Sequence, residues 1–221
     1  MQKVRVDIVS DVVCPWCYIG KRRLETAMKA FPNVAFDLHW RPFQLDGTIP
    51  PEGIARHIYL SRKFGSDERI AQIYKRISDE GRGEGIAFAF DRIEISPNTL
   101  DTHRLLRWAE DSGVQNALKQ RLFDLFFIEG ANLADAGTLV AAAGSVGMDT
   151  RGLEQRLRGD DDKEAVKSEI DEAQRMGVTG VPFFIFDAAL ALPGAHPPET
   201  ITEAIRQALA RQGGVQATPA G

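Results

Sequence analysis

The strand-forming segments of this 221-residue chain lie at its two ends. Residues 4–9 and 34–40 alternate between apolar and polar positions and are rich in β-branched or aromatic residues, which predicts two strands. Between them, apolar residues recur at helical spacing behind Pro15 and stop at Pro32, which predicts a helix. A strand, a helix and a strand in this order favour a parallel, right-handed unit.

A strand pattern returns only near the other end. Residues 181–186 form a nearly continuous apolar run, typical of a strand buried on both faces, and residues 188–192 predict a weaker strand. Residues 50–176 are predicted to be mostly helical, with the first helix beginning at Pro50. Because neither end supplies enough strands for a sheet of its own, we predict one α/β sheet interrupted by a helical insertion.

These patterns predict a division of the chain into three parts. Residues 1–45 and 177–211 are expected to form one discontinuous α/β domain, with residues 46–176 as an inserted helical domain. Residues 212–221 are rich in Gly, Gln, Thr and Pro and are predicted to be a disordered tail.

Charge and hydropathy narrow the classes of function. The net charge of −4, from 27 basic and 31 acidic residues, gives no reason to expect nucleic acid or an anionic membrane as partner. The first residues lack the apolar core of a secretory signal, and the longest apolar runs are too short to span a bilayer. We therefore expect a cytoplasmic protein, where a disulfide is more often transient and catalytic than structural.

The only two cysteines are Cys14 and Cys17. A disulfide between such close neighbours would close a very short loop and add little stability. With Cys14 at the N-cap and Pro15 at the first helical position, backbone N–H groups and the helix dipole favour the Cys14 thiolate. We expect Cys14 to be exposed and to attack, and Cys17 to be more buried and to resolve the mixed disulfide.

Two other roles are open to the cysteine pair. The cysteines could simply pack as apolar side chains, or they could hold zinc. A structural zinc site needs about four ligands, usually with a second closely spaced pair of Cys or His. The four histidines are scattered along the chain, at His39, His57, His103 and His196. No metal site is therefore predicted.

The motif Cys-Pro-Trp-Cys lies within residues 10–20, and Gly-Val-Pro lies within residues 177–184. Together with residues 40–45 and 98–104, these segments resemble the DsbA-like branch of the thioredoxin superfamily, and most closely its FrnE-type cytoplasmic members. The resemblance extends to about residue 210. It implies a thioredoxin fold with a large all-helical insertion, and an active site in which Pro15 and Trp16 separate the two cysteines.

The resemblance also implies roles for residues far from the cysteines. The Val181–Pro182 peptide bond should be cis and face them. Asn98 and His103 would line a substrate groove; the alternatives are a helix cap for Asn98 and a surface or core hydrogen bond for His103. Apart from the resemblance, Asp11 lies only three positions before Cys14 and could relay protons, although a solvated loop position fits it better.

The activity implied is that of a thiol–disulfide oxidoreductase or isomerase working through a mixed disulfide. Its partners would be protein or small-molecule thiols and disulfides. With no third cysteine, the pair must exchange electrons with an external redox partner. No cofactor is expected, apart from glutathione as a substrate or reductant, and a homodimer is left open.

Two alternatives to this activity stay open. A related branch contains glutathione-dependent 2-hydroxychromene-2-carboxylate isomerases and kappa-class transferases, which typically carry Ser where this chain has Cys14. The chain could also be a non-catalytic polypeptide-binding module with a vestigial cysteine pair. Having both Cys14 and Cys17 favours redox chemistry over the isomerase or transferase activity.

Overall fold

The structure is a computed structural model that describes residues 2–214. Its strands are β1 Gln2–Ser10, β2 Val34–Pro42, β3 Ile54–Ala55, β4 Ile95–Ser96, β5 Phe183–Phe186 and β6 Leu190–Pro193. Its helices are α1 Pro15–Met28, α2 Arg56–Phe64, α3 Asp67–Gly83, α4 Leu100–Asp111, α5 Gln115–Asp124, α6 Ala136–Ser145, α7 Leu153–Arg158, α8 Lys163–Arg175 and α9 Pro198–Gly214. A 3-10 turn at Phe90–Arg92 and a π-helical turn at Leu125–Glu129 complete the elements.

The two ends of the chain join in one four-stranded sheet with the order β2-β1-β5-β6. Strand β1 runs parallel to β2 and antiparallel to β5, so Ile8 lies opposite both Trp40 and Phe184. The predicted parallel strand–helix–strand unit is confirmed, as is the joining of the two ends.

One face of the sheet carries an apolar core. Val4, Val6 and Ile8 alternate along β1 and are fully buried against α1 and α9. Burying a side chain of this size contributes about 1.5–3 kcal/mol. This packing fixes α1 against the sheet, and with it the position of the cysteines at its N-terminus.

The insertion packs on the other side of α1 and against β2. A second core joins Cys17 and Ile19 of α1 to Leu122 and Phe123 of α5, and α5 and α8 contact β2. The cysteines therefore lie where the sheet unit meets the insertion. The predicted separation into two domains at residues 45 and 177 stays a prediction.

The insertion is not all-helical, contrary to expectation. The Gly53 N–H donates to the Pro50 carbonyl oxygen at 2.8 Å, and Gly53 has a φ of +81°, so the chain turns here. The short strands β3 and β4 then pair antiparallel. The expected helix start at Pro50 is wrong, because this turn delays α2 to Arg56.

The predicted start of the disordered tail, at residue 212, is too early. Helix α9 continues to Gly214, three residues beyond the expected limit at 211. The Gln212 side chain donates to the Lys3 carbonyl oxygen at 2.9 Å and to Asp187 Oδ2 at 2.8 Å, which ties this turn to the sheet unit. The rest of the predicted tail, residues 215–221, lies outside the described residues.

Helices α3 and α9 have 17 residues each. Across residues 2–214, no helix is both long enough and apolar enough to traverse a bilayer.

Candidate active site

Cys14 is the N-cap residue of α1, with extended dihedral angles (φ −92°, ψ 111°), and Pro15 is the first helical residue. This placement is as predicted. The Cys14 thiol does not accept a capping hydrogen bond; instead it donates to the Val181 carbonyl oxygen, at a sulfur–oxygen distance of 3.5 Å. A neutral thiol is a weak acceptor, so a carbonyl partner is the better match for it.

Both cysteines are free thiols, and both are buried. Cys14 is 4% exposed and Cys17 0%. The expectation of an exposed Cys14 is wrong, because Val181 and Trp16 pack against the apolar cluster that contains both cysteines. The order of burial is as predicted, with Cys17 the deeper residue.

The surroundings make Cys17 the thiol that holds its proton more firmly. Burial raises the pKa of Cys17 well above its usual value, and a hydrogen bond with the Cys14 side chain and the charge of Cys14 raise it further. The charge of Lys119 acts in the opposite direction. Cys17 is therefore suited to stay protonated until its sulfur is needed.

The Val181–Pro182 peptide bond is cis, as the resemblance implies. This loop rests directly on α1 at Gly20, where an added Cβ atom would lie 2.9 Å from Pro182 Cγ. The Pro182 carbonyl oxygen also accepts from the Gly194 N–H at 2.8 Å. These contacts hold the Val181 carbonyl over Cys14.

Trp16 lies at the second position of α1 and is half-buried. The guanidinium carbon of Arg76, on α3, lies 5.8 Å from the centre of the Trp16 ring. A cation over an aromatic face is attracted by the ring quadrupole. The insertion thus contributes to the cover of the helix end beside the cysteines.

Asp11 is 1% exposed, so the expected solvated position is wrong. Its Oδ2 accepts from the Leu45 N–H at 2.8 Å, and its Oδ1 lies 3.5 Å from His103 Nε2. Burial alone would raise the pKa of Asp11, but the hydrogen bonding and charge of His103 and the Leu45 N–H outweigh it and lower the pKa. Asp11 is a buried carboxylate three residues before Cys14.

His103 takes the alternative role of a core hydrogen bond, whereas Asn98 lies one residue before the N-cap of α4 and its groove role stays a prediction. The Asn98 side chain accepts from the Leu100 N–H at 3.0 Å near the start of α4 and donates to the Ile49 carbonyl oxygen at 2.6 Å. His103 is buried and hydrogen-bonded through Nε2 to the Phe43 carbonyl oxygen at 2.9 Å. Both side chains secure the loop after β2, and the structure places His103 in the core rather than at the wall of a groove.

Lys119 is a site residue that the sequence analysis missed. It lies on α5, is 0% exposed, and its Nζ has no hydrogen-bond partner among residues 2–214. The Nζ atom lies 4.9 Å from the centre of the Phe123 ring. Burial lowers the pKa of Lys119 to about 8, although the charges of Cys17, Asp11 and Cys14 oppose that shift.

A signal for Lys119 was present in the sequence. It stands three positions before Leu122 and one after Leu118, both on the apolar face of α5. A charged residue within a helical apolar face is rarely buried without a special role.

Within the described part of the chain, no three His, Cys, Asp or Glu side chains come together as metal ligands.

Comparison with known proteins finds relatives that match nearly the whole chain. The sequence profile of the DSBA-like thioredoxin domain matches residues 5–206. The crystal structure of a probable DsbA oxidoreductase from Streptomyces coelicolor superposes with a TM-score of 0.84 and 32% identity. The match covers 99% of this chain and 93% of that one.

Two more distant structures share the fold. Cytosolic disulfide reductase DsbM from Pseudomonas aeruginosa, solved with GSH, has a TM-score of 0.56 and 15% identity, covering 96% of this chain and 99% of that one. A 2-hydroxychromene-2-carboxylate isomerase has a TM-score of 0.65 and 16% identity, covering 97% and 100%. On the profile match and the Streptomyces coelicolor structure, the chain belongs to the family of DsbA-like thioredoxin domains, with a thioredoxin fold and a helical insertion.

Proposed function

We propose that the protein is a thiol–disulfide oxidoreductase in which Cys14 attacks and Cys17 resolves. The proposal rests on one observation: the two cysteines differ in position, burial and pKa. Cys14 caps α1 beside the Val181 carbonyl, whereas Cys17 is fully buried and its pKa is raised. A nucleophile at a helix N-terminus with a protonated partner one turn inward suits stepwise disulfide exchange.

The reduction of a substrate disulfide proceeds in two exchanges. The Cys14 thiolate attacks one substrate sulfur, and the other sulfur leaves as a thiolate that takes up a proton. Cys17 then loses its proton and attacks the Cys14 sulfur, which breaks the mixed disulfide and releases the second substrate thiol. The substrate gains two electrons, and a Cys14–Cys17 disulfide remains. The reverse sequence oxidises a substrate dithiol.

The backbone at Val181 supplies a docking point for an extended substrate. Its carbonyl oxygen accepts from the Cys14 thiol at 3.5 Å. When Cys14 ionises, that donor is lost, and the oxygen is free to accept from a backbone N–H of a peptide substrate. Protein or peptide disulfides are therefore the proposed substrates, with small disulfides reacting less selectively.

The external partner is proposed to be glutathione. The reaction needs no resident cofactor, because the electrons pass directly between sulfur atoms. The structure of DsbM solved with GSH supports a thiol of this class as the reductant. The cytosolic setting named for DsbM, and the resemblance of residues 10–20 and 177–184, support a FrnE-type protein acting in the cytoplasm.

The decisive experiment is to trap the intermediate. Cys17→Ser protein incubated with a disulfide-containing peptide should accumulate a mixed disulfide, seen as a mass increase equal to one peptide and removed by dithiothreitol. Wild-type protein should release the peptide, and Cys14→Ser protein should form no adduct. An absence of adduct on Cys17→Ser protein would reject the proposed function.

The same variant separates the competing activities. A glutathione-dependent isomerase or transferase would need one thiol at most, so Cys17→Ser would leave its turnover nearly intact. A polypeptide-binding module would bind the peptide without turnover in either form. Only an oxidoreductase would lose multiple turnover on Cys17→Ser substitution and accumulate the mixed disulfide.

A further inference from the structure

The fold does not account for the charge of Lys119. A buried ammonium ion loses its hydration, and its Nζ makes no hydrogen bond within residues 2–214. The rings of Trp40 and Phe123, with centres 5.2 and 4.9 Å from Nζ, offset part of that loss. An apolar residue of similar length would fill the same space without the charge.

The titratable groups around Lys119 come from two neighbouring segments. Helix α1 supplies Cys17 and Lys21, and the loop that leads to its N-cap supplies Asp11 and Cys14. Lys21 repels Lys119 but is itself paired with Glu25.

Asp11 and Cys17 affect Lys119 in different ways. Asp11 attracts the ammonium and is faced in turn by His103 of α4. Cys17 shares one buried cluster with Leu118 and Leu122, which flank Lys119 on α5. Among the neighbouring titratable groups, it has the largest effect on the pKa of Lys119.

We propose that Lys119 is a positioning residue for the resolving step, in which its ammonium group stabilises the negative charge that forms on the Cys17 sulfur. This inference rests on the proposed function. In that step Cys17 gives up its proton to water, its sulfur bonds to the Cys14 sulfur, and the bond from Cys14 to the substrate sulfur breaks. The substrate sulfur leaves with the electron pair and takes up a proton from water.

The resolving step needs such a charge because burial penalises the Cys17 thiolate. The ionised Asp11 nearby makes the site more negative still. The Lys119 ammonium on α5, outside the thioredoxin-like unit, would offset both the burial of the Cys17 thiolate and the negative charge of Asp11. The insertion would thus set how fast the pair resolves, besides covering it.

An aromatic disulfide reagent with a coloured thiolate separates the two exchanges. Wild-type protein should release colour in two phases, the first from attack by Cys14 and the second from resolution by Cys17. In Lys119→Met protein the second phase should be about threefold slower at neutral pH, because a one-unit rise in the pKa of Cys17 lowers its thiolate fraction tenfold while the more basic thiolate reacts faster. Lys119→Arg keeps the charge and should resolve close to the wild-type rate.

The matched control is Lys75→Met, which removes an exposed lysine paired with Asp79 and should leave both phases unchanged. Unchanged resolution in Lys119→Met protein would overturn the inference and leave the proposed function standing. A wild-type protein without a second phase would instead reject the proposed function itself.

A pH profile keeps the inference testable if Lys119→Met protein does not fold. The wild-type resolution rate should rise with pH and flatten above about pH 8, where Lys119 loses its charge. Lys119→Arg should show no flattening there, because a guanidinium stays protonated. Asp11 stays ionised throughout this range because its pKa is lowered. A wild-type profile that rises without a break near pH 8 would overturn the inference.

Discussion

The Cys14 sulfur lies 3.5 Å from the carbonyl oxygen of Val181, a residue 167 positions later in the chain. This contact joins the two halves of the split sheet unit at the reacting atom. While Cys14 is a thiol, the Val181 carbonyl covers it. Once Cys14 has ionised, that carbonyl oxygen no longer has a hydrogen-bond donor. In the proposed mechanism, the position of the Val181 loop therefore controls both access to the Cys14 sulfur and the docking of an extended substrate.

Gly20→Ala should move that loop. The new Cβ atom would lie 2.9 Å from Pro182 Cγ and 3.2 Å from Phe184 Cζ, closer than side chains normally approach. We expect a loss of about 1–3 kcal/mol in the free energy of unfolding, as for other overpacked sites. With the Val181 carbonyl displaced, Cys14 should react faster with a small disulfide reagent, while turnover of a peptide disulfide should fall.

The matched control for this change is Gly83→Ala at the end of α3, where an added Cβ atom meets nothing within 4 Å. It should leave both reactions unchanged. Denaturant unfolding and the two rates check the prediction. Wild-type stability together with wild-type peptide turnover in Gly20→Ala protein would contradict it.

Local sequence patterns predicted the local part of this site, whereas the cis Val181–Pro182 bond opposite the cysteines was predicted only through the family resemblance. Periodicity and the position of Pro15 predicted β1, α1 and the N-cap placement of Cys14, because those features depend on neighbours within a few residues. The burial of Cys14 depends on Val181, and the burial of Asp11 depends on Leu45 and His103. Such contacts between distant segments leave no periodic trace.

Asp11→Asn should weaken the protein in a pH-dependent way. The folded state lowers the pKa of Asp11, so the carboxylate contributes stability above its unfolded pKa of about 3.9. That contribution is lost as the pH falls through the folded value. The wild-type protein should therefore be more stable than Asp11→Asn at neutral pH, and the difference should shrink in acid.

Free energies of unfolding measured from neutral to acidic pH check this prediction. The exposed residue Asp171 provides the control, since Asp171→Asn should alter neither the stability nor its pH dependence. A difference between wild-type and Asp11→Asn protein that does not change with pH would contradict the assignment.

Arg104→Met should destabilise the insertion severely. Arg104 is fully buried, and its guanidinium donates to the carbonyl oxygens of Leu157 at 2.8 Å and Gly159 at 3.1 Å, at the end of α7. Removing it leaves buried carbonyls unpaired, each at a cost of about 1–3 kcal/mol. We expect a loss of about 3 kcal/mol or more in the free energy of unfolding, measured with denaturant.

The control for Arg104→Met is Arg158→Met, which changes the last residue of α7 itself. Arg158 is exposed and pairs with Glu154 at 2.6 Å, and such a surface pair contributes about 0–1 kcal/mol. Equal losses in the two variants would show that Arg104 does not hold the end of α7.

Lys119→Met should stabilise the protein at neutral pH while slowing its chemistry. The folded state lowers the pKa of Lys119 to about 8, against about 10.4 in the unfolded chain. Between these values the unfolded chain binds more protons, so wild-type stability rises with pH through this window. The shift of more than two units corresponds to about 3 kcal/mol lost at neutral pH by keeping the lysine charged and buried.

Replacing Lys119 with methionine should therefore raise the free energy of unfolding at neutral pH, and the gain should vanish only above about pH 11, where the wild-type lysine has lost its proton in both states. Unfolding of the reduced proteins by urea across this range measures the gain, with Lys75→Met as a control that shows none. A gain that persists unchanged at high pH would mean that packing, and not charge, distinguishes the two side chains. A more stable but slower variant is expected if the charge is retained for catalysis at the expense of stability.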